Sequence, residues 1–504
     1  MLEAFDVFAQ NTALSAGGER YKYADLGGIA FGISEIIQKH NDLKSPVAIL
    51  GSKGFHTYAG ICGSLFASCA YMPLNLRFPA ARNAKMLDRS GASVIIADNA
   101  ATPMLEELLQ QVYFTGTIIL EGDPGNWQAK YPDIYWYKAF PSYGLIPEIT
   151  AQPDDTAYLL FTSGTTGVPK GVPVSNRNVT AYLDHVLAQY NFTPDDRFSH
   201  TFDLTFDLSV HDMMVCWLSG ACLCIPFEDT ALKIAAYIRE SRISVWFSVP
   251  SVASLMDRMR LLKPGTLESI RMSFFCGEPL PENIARKWRS ATAAPVVNLY
   301  GPSEATIAIS EYEAGEHTKQ KNGIVSLGKL FPRQEYLLID PETSNTTQTK
   351  GELCLSGSQV IQGYLDDQEL NERFFFNCGE QEKRWYRTGD LMEIDTEGDL
   401  FFLGRTDAEV KISGFRVNLL EVDALIRKYN GAGMVATLLD NKRSPRLVSF
   451  AERTGKYDEK GLINRCRHEL PWYMIPEVII FVEKMPLNAN GKIDRNALKN
   501  IMHG

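Results

Sequence analysis

The stretch YLLFTSGTTGVPKGV, residues 158–172, carries the most information about how this chain folds and what it binds. Its first half is apolar, as expected for a buried strand, and its second half is rich in glycine, serine and threonine ahead of Lys170. Glycines let neighbouring backbone N–H groups face one point, hydroxyl groups add donors, and a lysine adds a positive charge. These features suit a chain of phosphates, and they are typical of an anion-binding loop that follows a strand.

The loop differs from the Walker motif, which has four residues between its glycines and a serine or threonine after its lysine. Here only two residues separate Gly164 from Gly167, and Gly171 follows Lys170. Small polar residues also favour ordinary turns. Taken alone, the loop therefore leaves a phosphate site and a surface hairpin both open.

Short apolar runs alternate with helical stretches on both sides of this loop, which is typical of parallel sheets covered by helices. From about Gly323, close-set strands separated by glycine, aspartate and asparagine predict an antiparallel or barrel-like subdomain. Beyond Gly404 the pattern is strand, helix, strand, helix and strand, which predicts a small α+β unit of about a hundred residues. The strands predicted in the first part are residues 47–50, 93–96, 117–120, 158–161, 243–249 and 272–275.

Composition restricts the class of protein. The 504 residues are 45% hydrophobic and 22% charged, which is typical of a globular protein with a large core. Fifty Lys and Arg against sixty Asp and Glu give a net charge of −10, which disfavours nucleic acid as the main partner. The nine cysteines are scattered without a C-x-x-C pair, as in a reducing compartment.

The first ten residues, MLEAFDVFAQ, lack the basic end and apolar run of a signal peptide. No apolar run reaches the roughly 18 residues that span a bilayer. We therefore expect a cytoplasmic protein without membrane insertion.

Six further segments accompany the loop in order along the chain. They are FDLSVHD (206–212), NLYGPSEAT (298–306), GELCLSG (351–357), YRTGDL (386–391), GRTDAEVKISGFRVNLLEV (404–422) and NANGKIDR (488–495). Together with the loop they resemble the successive core motifs of the adenylate-forming superfamily, which includes acyl-CoA synthetases, luciferases and the adenylation domains of non-ribosomal peptide synthetases. One departure is Asn176, where members commonly carry histidine.

This resemblance implies an α/β fold in two domains. Residues 1–403 would form a large N-terminal domain of two α/β subdomains plus a β subdomain, which binds ATP and substrate. Residues 404–504 would form a small, mobile α+β C-terminal domain that carries a catalytic lysine. By the same resemblance, the polar segment GRTD (404–407) would contain the hinge, at Asp407, and a plain polar turn is the alternative.

The reaction implied by the resemblance has two halves. A carboxylate attacks the α-phosphorus of ATP, giving an acyl-adenylate and pyrophosphate, and a thiol then displaces AMP. Since the substrates supply both nucleophiles, the protein has to position groups and neutralise charge. A swing about Asp407 would withdraw the catalytic lysine after the first half and bring residues 411–415 to a thiol tunnel.

The resemblance also assigns residues to ATP and Mg²⁺. Glu304 would ligate Mg²⁺, a hard cation suited to carboxylate oxygen, and Lys492 would bridge the substrate carboxylate and the α-phosphate. By composition alone both would be surface residues. The predicted catalytic residues are Lys492, Thr166 and Glu304, and the predicted ATP-binding residues are Thr162, Ser163, Gly164, Thr165, Thr166, Gly167, Lys170, Tyr300, Gly301, Asp390, Arg405 and Lys492.

Asp207 indicates which acid is activated. In members that activate amino acids, the acid of this motif pairs with the substrate ammonium group, and a buried carboxylate without a cation would be costly. A helix N-cap is the alternative role for Asp207. The resemblance places Leu208, His211, Phe247, Phe274, Cys276, Leu299, Ile307, Ala308 and Lys492 with Asp207 around the substrate.

Three large groups in that set, Phe247, Phe274 and Leu299, should fill most of the side-chain space. We therefore expect a small amino acid: alanine, glycine or proline. His211 either faces the substrate or makes a local hydrogen bond. The motifs are similar to those of free-standing D-alanine and prolyl carrier-protein ligases.

The chain ends soon after residue 495, so the thiol is expected on a separate phosphopantetheinylated carrier protein, with coenzyme A as the alternative. The predicted activity is an AMP-forming amino acid:carrier-protein ligase. An acyl- or aryl-CoA ligase is the alternative within the superfamily, and Asp207 argues against it. A nucleotide sensor without turnover is a third possibility, disfavoured by intact Thr166, Glu304, Asp390 and Lys492.

Overall fold

The computed structural model describes most of the 504-residue chain. The described residues are 1–41, 44–142, 147–163, 169–226, 231–379, 383–430, 434–442, 445–453, 458–487 and 493–503. Within these ranges no helix combines the length and apolarity needed to cross a membrane.

A largely parallel sheet of seven described strands contains the strand of the decisive stretch. Most of its strands are buried on both faces, as in Val94–Ala97, which explains their continuous apolar sequences. Only the last pair is antiparallel. In spatial order the strands are Tyr135–Lys138, Thr117–Leu120, Val94–Ala97, Val47–Leu50, Tyr71–Leu74, Thr156–Thr162 and Lys170–Ser175. The helices in this part of the chain are Leu2–Val7, Tyr23–His40, Phe55–Phe66, Ala80–Ser90, Thr102–Leu109, Trp127–Lys130 and Asn176–Gln189.

A second sheet has nine described strands, parallel in its centre and antiparallel at its two ends. One buried cluster contains Ile49 and Ile96 of the first sheet and Val245 and Phe247 of the second, so the two sheets share a core. The strands in spatial order are Lys329–Leu330, Ser310–Ala314, Val296–Tyr300, Met272–Phe275, Val245–Ser248, Arg197–Ser199, Cys222–Cys224, Thr12–Ala16 and Glu19–Lys22. The accompanying helices are Leu208–Leu218, Ala231–Glu240, Pro250–Arg258 and Glu282–Thr292.

An antiparallel sheet follows in the chain. It pairs Asp390 with Arg405 on adjacent strands, so an acid and a base predicted to bind nucleotide are neighbours. Its strands are Gln334–Ile339, Thr346–Thr347, Lys350–Gly357, Phe375–Cys378, Lys383–Ile394 and Leu400–Arg405. The short pair Gln320–Lys321 and Ile324–Val325 and the helix Gln368–Phe374 complete this part.

The C-terminal region, residues 409–503, is a smaller α+β unit. It begins with a hairpin of strands Glu409–Ile412 and Phe415–Asn418. The turn residues Ser413 (φ 50°) and Gly414 (φ 84°) both have positive φ, as in the favoured two-residue hairpin turn. A three-stranded sheet of Val435–Asp440, Arg446–Glu452 and Val478–Val482 and the helices Leu419–Asn430, Glu459–Glu469 and Arg495–His503 follow.

The predicted fold class is confirmed: an α/β chain with a large N-terminal part and a smaller C-terminal α+β region. Three predicted strands coincide with Val47–Leu50, Thr117–Leu120 and Met272–Phe275, and the other three overlap observed strands. The predicted antiparallel segment after Gly323 is also present. The domain boundary at residue 404 and the mobility of the C-terminal domain stay predictions.

The hairpin and the following helix pack against the N-terminal part. A buried ion pair joins Arg82 of the helix Ala80–Ser90 to Glu421 of the helix Leu419–Asn430, with 2.9 Å between Nη1 and Oε1. The two side chains are 4% and 1% exposed. Close by, Tyr473 stacks on Phe415 of the hairpin at 3.8 Å between ring centroids.

Removing one member of this pair should loosen the contact between the two parts. We expect Glu421→Gln to leave the Arg82 guanidinium buried without a charged partner, at a cost of about 3–5 kcal/mol. Trypsin should then cut faster at Arg405, between the two parts, and the melting temperature should fall.

The matched control is Glu477→Gln. Glu477 pairs with Arg446 at the surface, where the side chains are 59% and 37% exposed. Exposed pairs contribute little, so this variant should stay within about 0.5 kcal/mol of the parent protein. Equal cleavage rates at Arg405 in the two variants would contradict the assignment.

Candidate functional site

Three predicted site residues, Asp207, Cys276 and Gly301, come after strands of the second sheet, at the carboxyl-end edge where ligands bind in open α/β sheets. A cavity of about 70 Å³ lies there, closed on one side by the C-terminal hairpin. Its lining comprises Phe161, Thr162, Ser163, Thr205, Phe206, Asp207, Leu208, Cys276, Gly277, Gly301, Pro302, Ser303, Lys411, Gly414, Phe415, Arg416 and Tyr473.

Asp207 lines this cavity just before the helix Leu208–Leu218. It occupies the N-cap position, yet its side chain makes no capping hydrogen bond to any described residue. Burial raises the pKa of Asp207 to about 6, against the opposing effects of a hydrogen bond from Ser303 and the charge of Lys411. The carboxyl group is therefore poorly stabilised in its charged form, and an added ammonium group would stabilise it.

The other predicted substrate residues form two layers. Leu208 and Cys276 line the cavity directly. His211 lies behind them, with its ring centroid 4.8 Å from that of Phe247 and 5.4 Å from that of Phe274. Leu299, Ile307 and Ala308 belong to the same buried cluster. The described space for a side chain therefore closes at Leu208 and Cys276, which suits a small group.

His211 makes the local hydrogen bond that was one of its two predicted roles. Its Nδ1 lies 2.7 Å from the hydroxyl group of Tyr182, a residue that the sequence motifs did not identify. Burial lowers the pKa of His211 to about 3, so the ring is neutral at physiological pH. Its Nε2 has no hydrogen-bond partner among the described residues.

Glu304 is fully buried at the centre of a cluster of charges. Its carboxylate accepts a hydrogen bond from Tyr364 Oη at 2.7 Å and lies 3.4 Å from Lys170 Nζ. Arg416 of the hairpin places Nη1 at 3.1 and 2.9 Å from the two carboxylate oxygens. Burial alone would raise the pKa of Glu304, but Arg416 and Lys170 outweigh it and hold that pKa well below its ordinary value.

A fourth member, Glu409, balances the cluster. Its carboxylate accepts from Arg416 Nε and lies 3.7 Å from Lys170 Nζ. Burial and the charge of Arg416 lower the pKa of Lys170. Two cations and two anions thus share one buried site, and the sequence motifs had identified only Lys170 and Glu304 of these four. The feature of the sequence that could have pointed to Arg416 as a site residue is its position in the GFRV part of a core motif.

The contacts within this cluster determine whether Mg²⁺ could bind at Glu304 with the side chains in these positions. The carboxylate of Glu304 is a hard oxygen donor of the kind that Mg²⁺ prefers. Both of its oxygens, however, already contact Arg416, and Lys170 adds a second positive charge. In the described part of the chain no group of three or more His, Cys, Asp or Glu side chains is arranged to hold a metal. With the hairpin in this position, the residues do not fit a metal ion at Glu304.

The predicted nucleoside residues do lie together. Tyr300 donates a hydrogen bond to Asp390 Oδ2 at 2.6 Å, and Arg405 Nη1 donates to Asp390 Oδ1 at the same distance. Arg405 also pairs with the predicted hinge residue Asp407, with 2.7 Å between Nη2 and Oδ2. Gly301 has to be glycine, because a Cβ atom there would lie 2.6 Å from the Cα atom of Ala308.

The phosphate loop is described only at its edges. Ser163 Oγ donates to the backbone oxygen of Arg416 at 2.8 Å and accepts from the backbone N–H of Asn418 at 3.1 Å. The buried hydroxyl group of Thr162 lacks a partner in the part of the chain that the structure covers. The predicted residues Gly164, Thr165, Thr166, Gly167 and Lys492 lie outside the described residues.

A second cavity of about 550 Å³ adjoins the first. Both are lined by Phe206 and Phe415, whose rings meet edge to face at 4.3 Å between centroids. Other residues around it include Lys53, Arg77 and Trp472. The resemblance implied a thiol tunnel beside residues 411–415, but it pointed to none of these N-terminal residues.

Comparison with known proteins gives a consistent result. A family profile described as AMP-binding enzyme matches residues 3–365. The D-alanine–D-alanyl carrier protein ligase of Bacillus licheniformis is 29% identical over 473 residues, covering 90% of this chain and 89% of that protein. The L-proline–L-prolyl-carrier protein ligase of Pseudomonas fluorescens is 30% identical over 466 residues, with 91% and 89% covered.

Among solved structures, the adenylation domain AlmE of Vibrio cholerae, in complex with glycyl-adenosine-5'-phosphate, superimposes with a TM-score of 0.92. It is 29% identical in sequence, and the match covers 100% of this chain and 96% of that one.

The burial of Asp207 predicts that this residue makes the folding stability of the protein depend on pH. Because its pKa is raised to about 6, the folded protein without substrate holds this proton more tightly than the unfolded chain does. The contribution of Asp207 to folding is thus most favourable below its ordinary pKa and is lost as the pH rises through about 6. At pH 8 Asp207→Asn should stabilise the protein by about 1–3 kcal/mol, and less at pH 5.

Thermal unfolding at pH 5 and pH 8 without substrate measures this effect. Asp184→Asn is the matched control, because Asp184 is exposed on the helix Asn176–Gln189 and should give no comparable change. A destabilised Asp207→Asn protein at pH 8 would show that the carboxylate already has an adequate partner.

Proposed function

This chain belongs to the AMP-binding enzyme family, and on that basis we propose that it activates a small amino acid with ATP and transfers it to the thiol of a separate carrier protein. The observation that carries this proposal is the buried Asp207 carboxylate, in a small cavity beside the residues expected to bind ATP. A zwitterionic substrate would supply the missing cation with its ammonium group and the reacting oxygen with its carboxylate.

The size of the cavity supports a substrate no larger than alanine, glycine or proline. Leu208 and Cys276 bound the space next to Asp207, and the packed rings of His211, Phe247 and Phe274 lie behind them. The names of the two relatives give D-alanine and L-proline as their substrates, and the similar solved structure contains glycyl-adenosine-5'-phosphate. These substrates share a side chain of at most three carbon atoms.

The first half-reaction follows from this arrangement. The substrate carboxylate attacks the α-phosphorus of ATP, the bond to the pyrophosphate oxygen breaks, and an aminoacyl-adenylate forms. Asp207 holds the ammonium group, Asp390 accepts hydrogen bonds from the ribose hydroxyl groups, and Tyr300 lies against the adenine. Lys492 would offset the charge that grows on the phosphorus.

The second half-reaction would use the larger cavity. A thiol on a phosphopantetheine arm enters it, attacks the acyl carbon and releases AMP, while the thiol proton passes to solvent. The edge-to-face pair of Phe206 and Phe415 stands between the two cavities, so its displacement would join the thiol to the adenylate. A separate carrier protein is supported by the names of the relatives.

Exchange of labelled pyrophosphate into ATP tests the first half. We expect exchange that depends on glycine, D-alanine, L-alanine or L-proline and is at least tenfold weaker with leucine or phenylalanine. Asp207→Asn should reduce exchange by a hundredfold or more, since it removes the charged partner of the ammonium group, whereas Asp184→Asn should match the parent protein. Activity with fatty or aryl acids and coenzyme A, and none with any amino acid, would replace the proposal by a CoA ligase.

The hinge can be tested separately from the chemistry. We expect Asp407→Pro to spare amino-acid-dependent exchange and to abolish thioester formation on pantetheine or a phosphopantetheinylated carrier. Asp407→Ala is the control, since it also loses the ion pair with Arg405 but keeps backbone freedom. Equal loss of both half-reactions in the proline variant would argue that GRTD is only a polar turn.

A further inference from the structure

The larger cavity, where the proposed second half-reaction would take place, has more positive than negative side chains on its walls. The charged residues among those that line it are Lys53, Arg77 and Asp203. Asp203 accepts a hydrogen bond from Asn75 Nδ2 at 2.8 Å, and its other oxygen accepts from the backbone N–H and the hydroxyl group of Thr205 at 3.0 and 2.7 Å. Since the one acid is already hydrogen-bonded within the protein, the cavity favours a negatively charged ligand.

The two cations of this cavity lie at different depths. Arg77 is exposed, and its guanidinium carbon lies 5.0 Å from the ring centroid of Trp472, which is 42% exposed. This pair marks the mouth of the cavity. Lys53 is only partly exposed, and its Nζ donates hydrogen bonds to the backbone oxygens of Thr201 at 3.1 Å and His200 at 3.5 Å. Lys53 therefore belongs to a deeper wall.

That deeper wall adjoins the predicted amino-acid pocket. Thr201 lines the larger cavity, and its hydroxyl group donates to the backbone oxygen of Phe247 at 3.1 Å. The ring of Phe202, which also lines the cavity, meets the ring of Phe247 edge to face at 4.9 Å between centroids. Since Phe247 belongs to the predicted amino-acid pocket, the ammonium group of Lys53 is held on the side of the larger cavity that faces the substrate.

The two backbone contacts of Lys53 hold its ammonium group in place and leave its charge intact, because carbonyl oxygens carry no net charge. Behind this wall His200 and Asp212 form a fully buried pair, with 3.1 Å between Nδ1 and Oδ2. Burial raises the pKa of Asp212 although the charge of Lys53 opposes this, and burial together with that charge lowers the pKa of His200. The pair is therefore uncharged at neutral pH. A further acid, Asp98, accepts hydrogen bonds from the backbone N–H and the hydroxyl group of Ser52 at 2.7 and 2.6 Å.

We propose that the ammonium group of Lys53 stabilises the thiolate of the acceptor as its sulfur attacks the aminoacyl-adenylate. This inference rests on the proposed function. A thiol attacks as its thiolate, and at neutral pH only a few per cent of an ordinary thiol is ionised. A cation within a few ångströms favours the charged form, so it raises the thiolate fraction at the place where the attack occurs.

The step balances without a base from the protein. The thiol proton passes to solvent, and a bond forms between the sulfur and the acyl carbon. The bond from that carbon to the phosphate oxygen breaks, and AMP leaves with the electron pair. Lys53 keeps its proton throughout and contributes only its charge. It is therefore a catalytic residue of the second half-reaction that takes no part in the first.

The pH dependence of acyl transfer tests this role. The adenylate is formed first, from MgATP and whichever of glycine, alanine or proline supports the fastest pyrophosphate exchange. Pantetheine, which has the thiol but no phosphate, is then added, and the single-turnover rate of thioester formation is measured between about pH 6 and pH 10. In the unaltered protein we expect the rate to follow a pKa about 1 unit below that of free pantetheine.

Lys53→Gln should return that pKa to within about 0.3 unit of the free thiol. The transfer rate at pH 7 should fall about threefold to tenfold, the smaller loss applying because a more acidic thiolate is also a weaker nucleophile. Retained pyrophosphate exchange shows that this variant is folded. Lys53→Arg keeps the charge and should keep the pKa of the unaltered protein. Lys39→Gln is the matched control, because it removes an equal charge from an exposed position on the helix Tyr23–His40 and should change neither quantity.

A pKa in the unaltered protein equal to that of free pantetheine overturns the proposal, and this result needs no variant. A Lys53→Gln protein whose pH profile matches the unaltered one overturns it as well. If Lys53 instead binds the phosphate of the arm, the variant raises KM for phosphopantetheine and leaves the profile with pantetheine unchanged, which also counts against the proposal.

Pyrophosphate exchange separates this inference from the proposed function. If no amino acid supports exchange, or if no thiol accepts the acyl group, the proposed function fails and this inference fails with it. If the thioester forms at a rate whose pH profile does not depend on Lys53, only this inference fails.

Discussion

The arrangement of the whole molecule depends on one buried cluster of two acids and two bases: Lys170, Glu304, Glu409 and Arg416. Lys170 begins the last strand of the first sheet, Glu304 follows a central strand of the second, and the other two belong to the C-terminal hairpin. Any one of these buried charges would destabilise the folded protein strongly if it lacked a partner of opposite sign. Their mutual compensation therefore fixes how the three units meet.

This dependence explains why the site is closed on one side by a different part of the chain. The sheets bring Asp207, Cys276 and Gly301 together at the carboxyl ends of neighbouring strands, and the hairpin then covers them. Gly414 lets the hairpin approach, since a Cβ atom there would lie 2.5 Å from Val249 Cγ1. The rings of Phe206 and Phe415 meet at the same place and line both the small cavity and the larger one.

Asp207 and Glu304 illustrate two outcomes for a buried carboxyl group. Glu304 has two cationic neighbours and a low pKa, so its charge is satisfied within the protein. Asp207 has a hydroxyl donor and a more weakly acting lysine, and burial raises its pKa. The first acid is therefore a structural centre in this arrangement, whereas the second is suited to receive a charged ligand.

The sequence by itself determined the fold class, because continuous apolar runs, glycine-rich turns and ordered motifs depend on local composition and spacing. It also singled out Asp207, Glu304, Asp390 and Arg405 as candidate site residues, since each lies within one of the core-motif segments. Only the tertiary structure decided what Glu304 contacts, that Tyr182 partners His211, and that Arg82 meets Glu421, 339 residues away. These pairings depend on how separate sheets pack and on the need to compensate each buried charge, and neither is encoded in the spacing of any one segment.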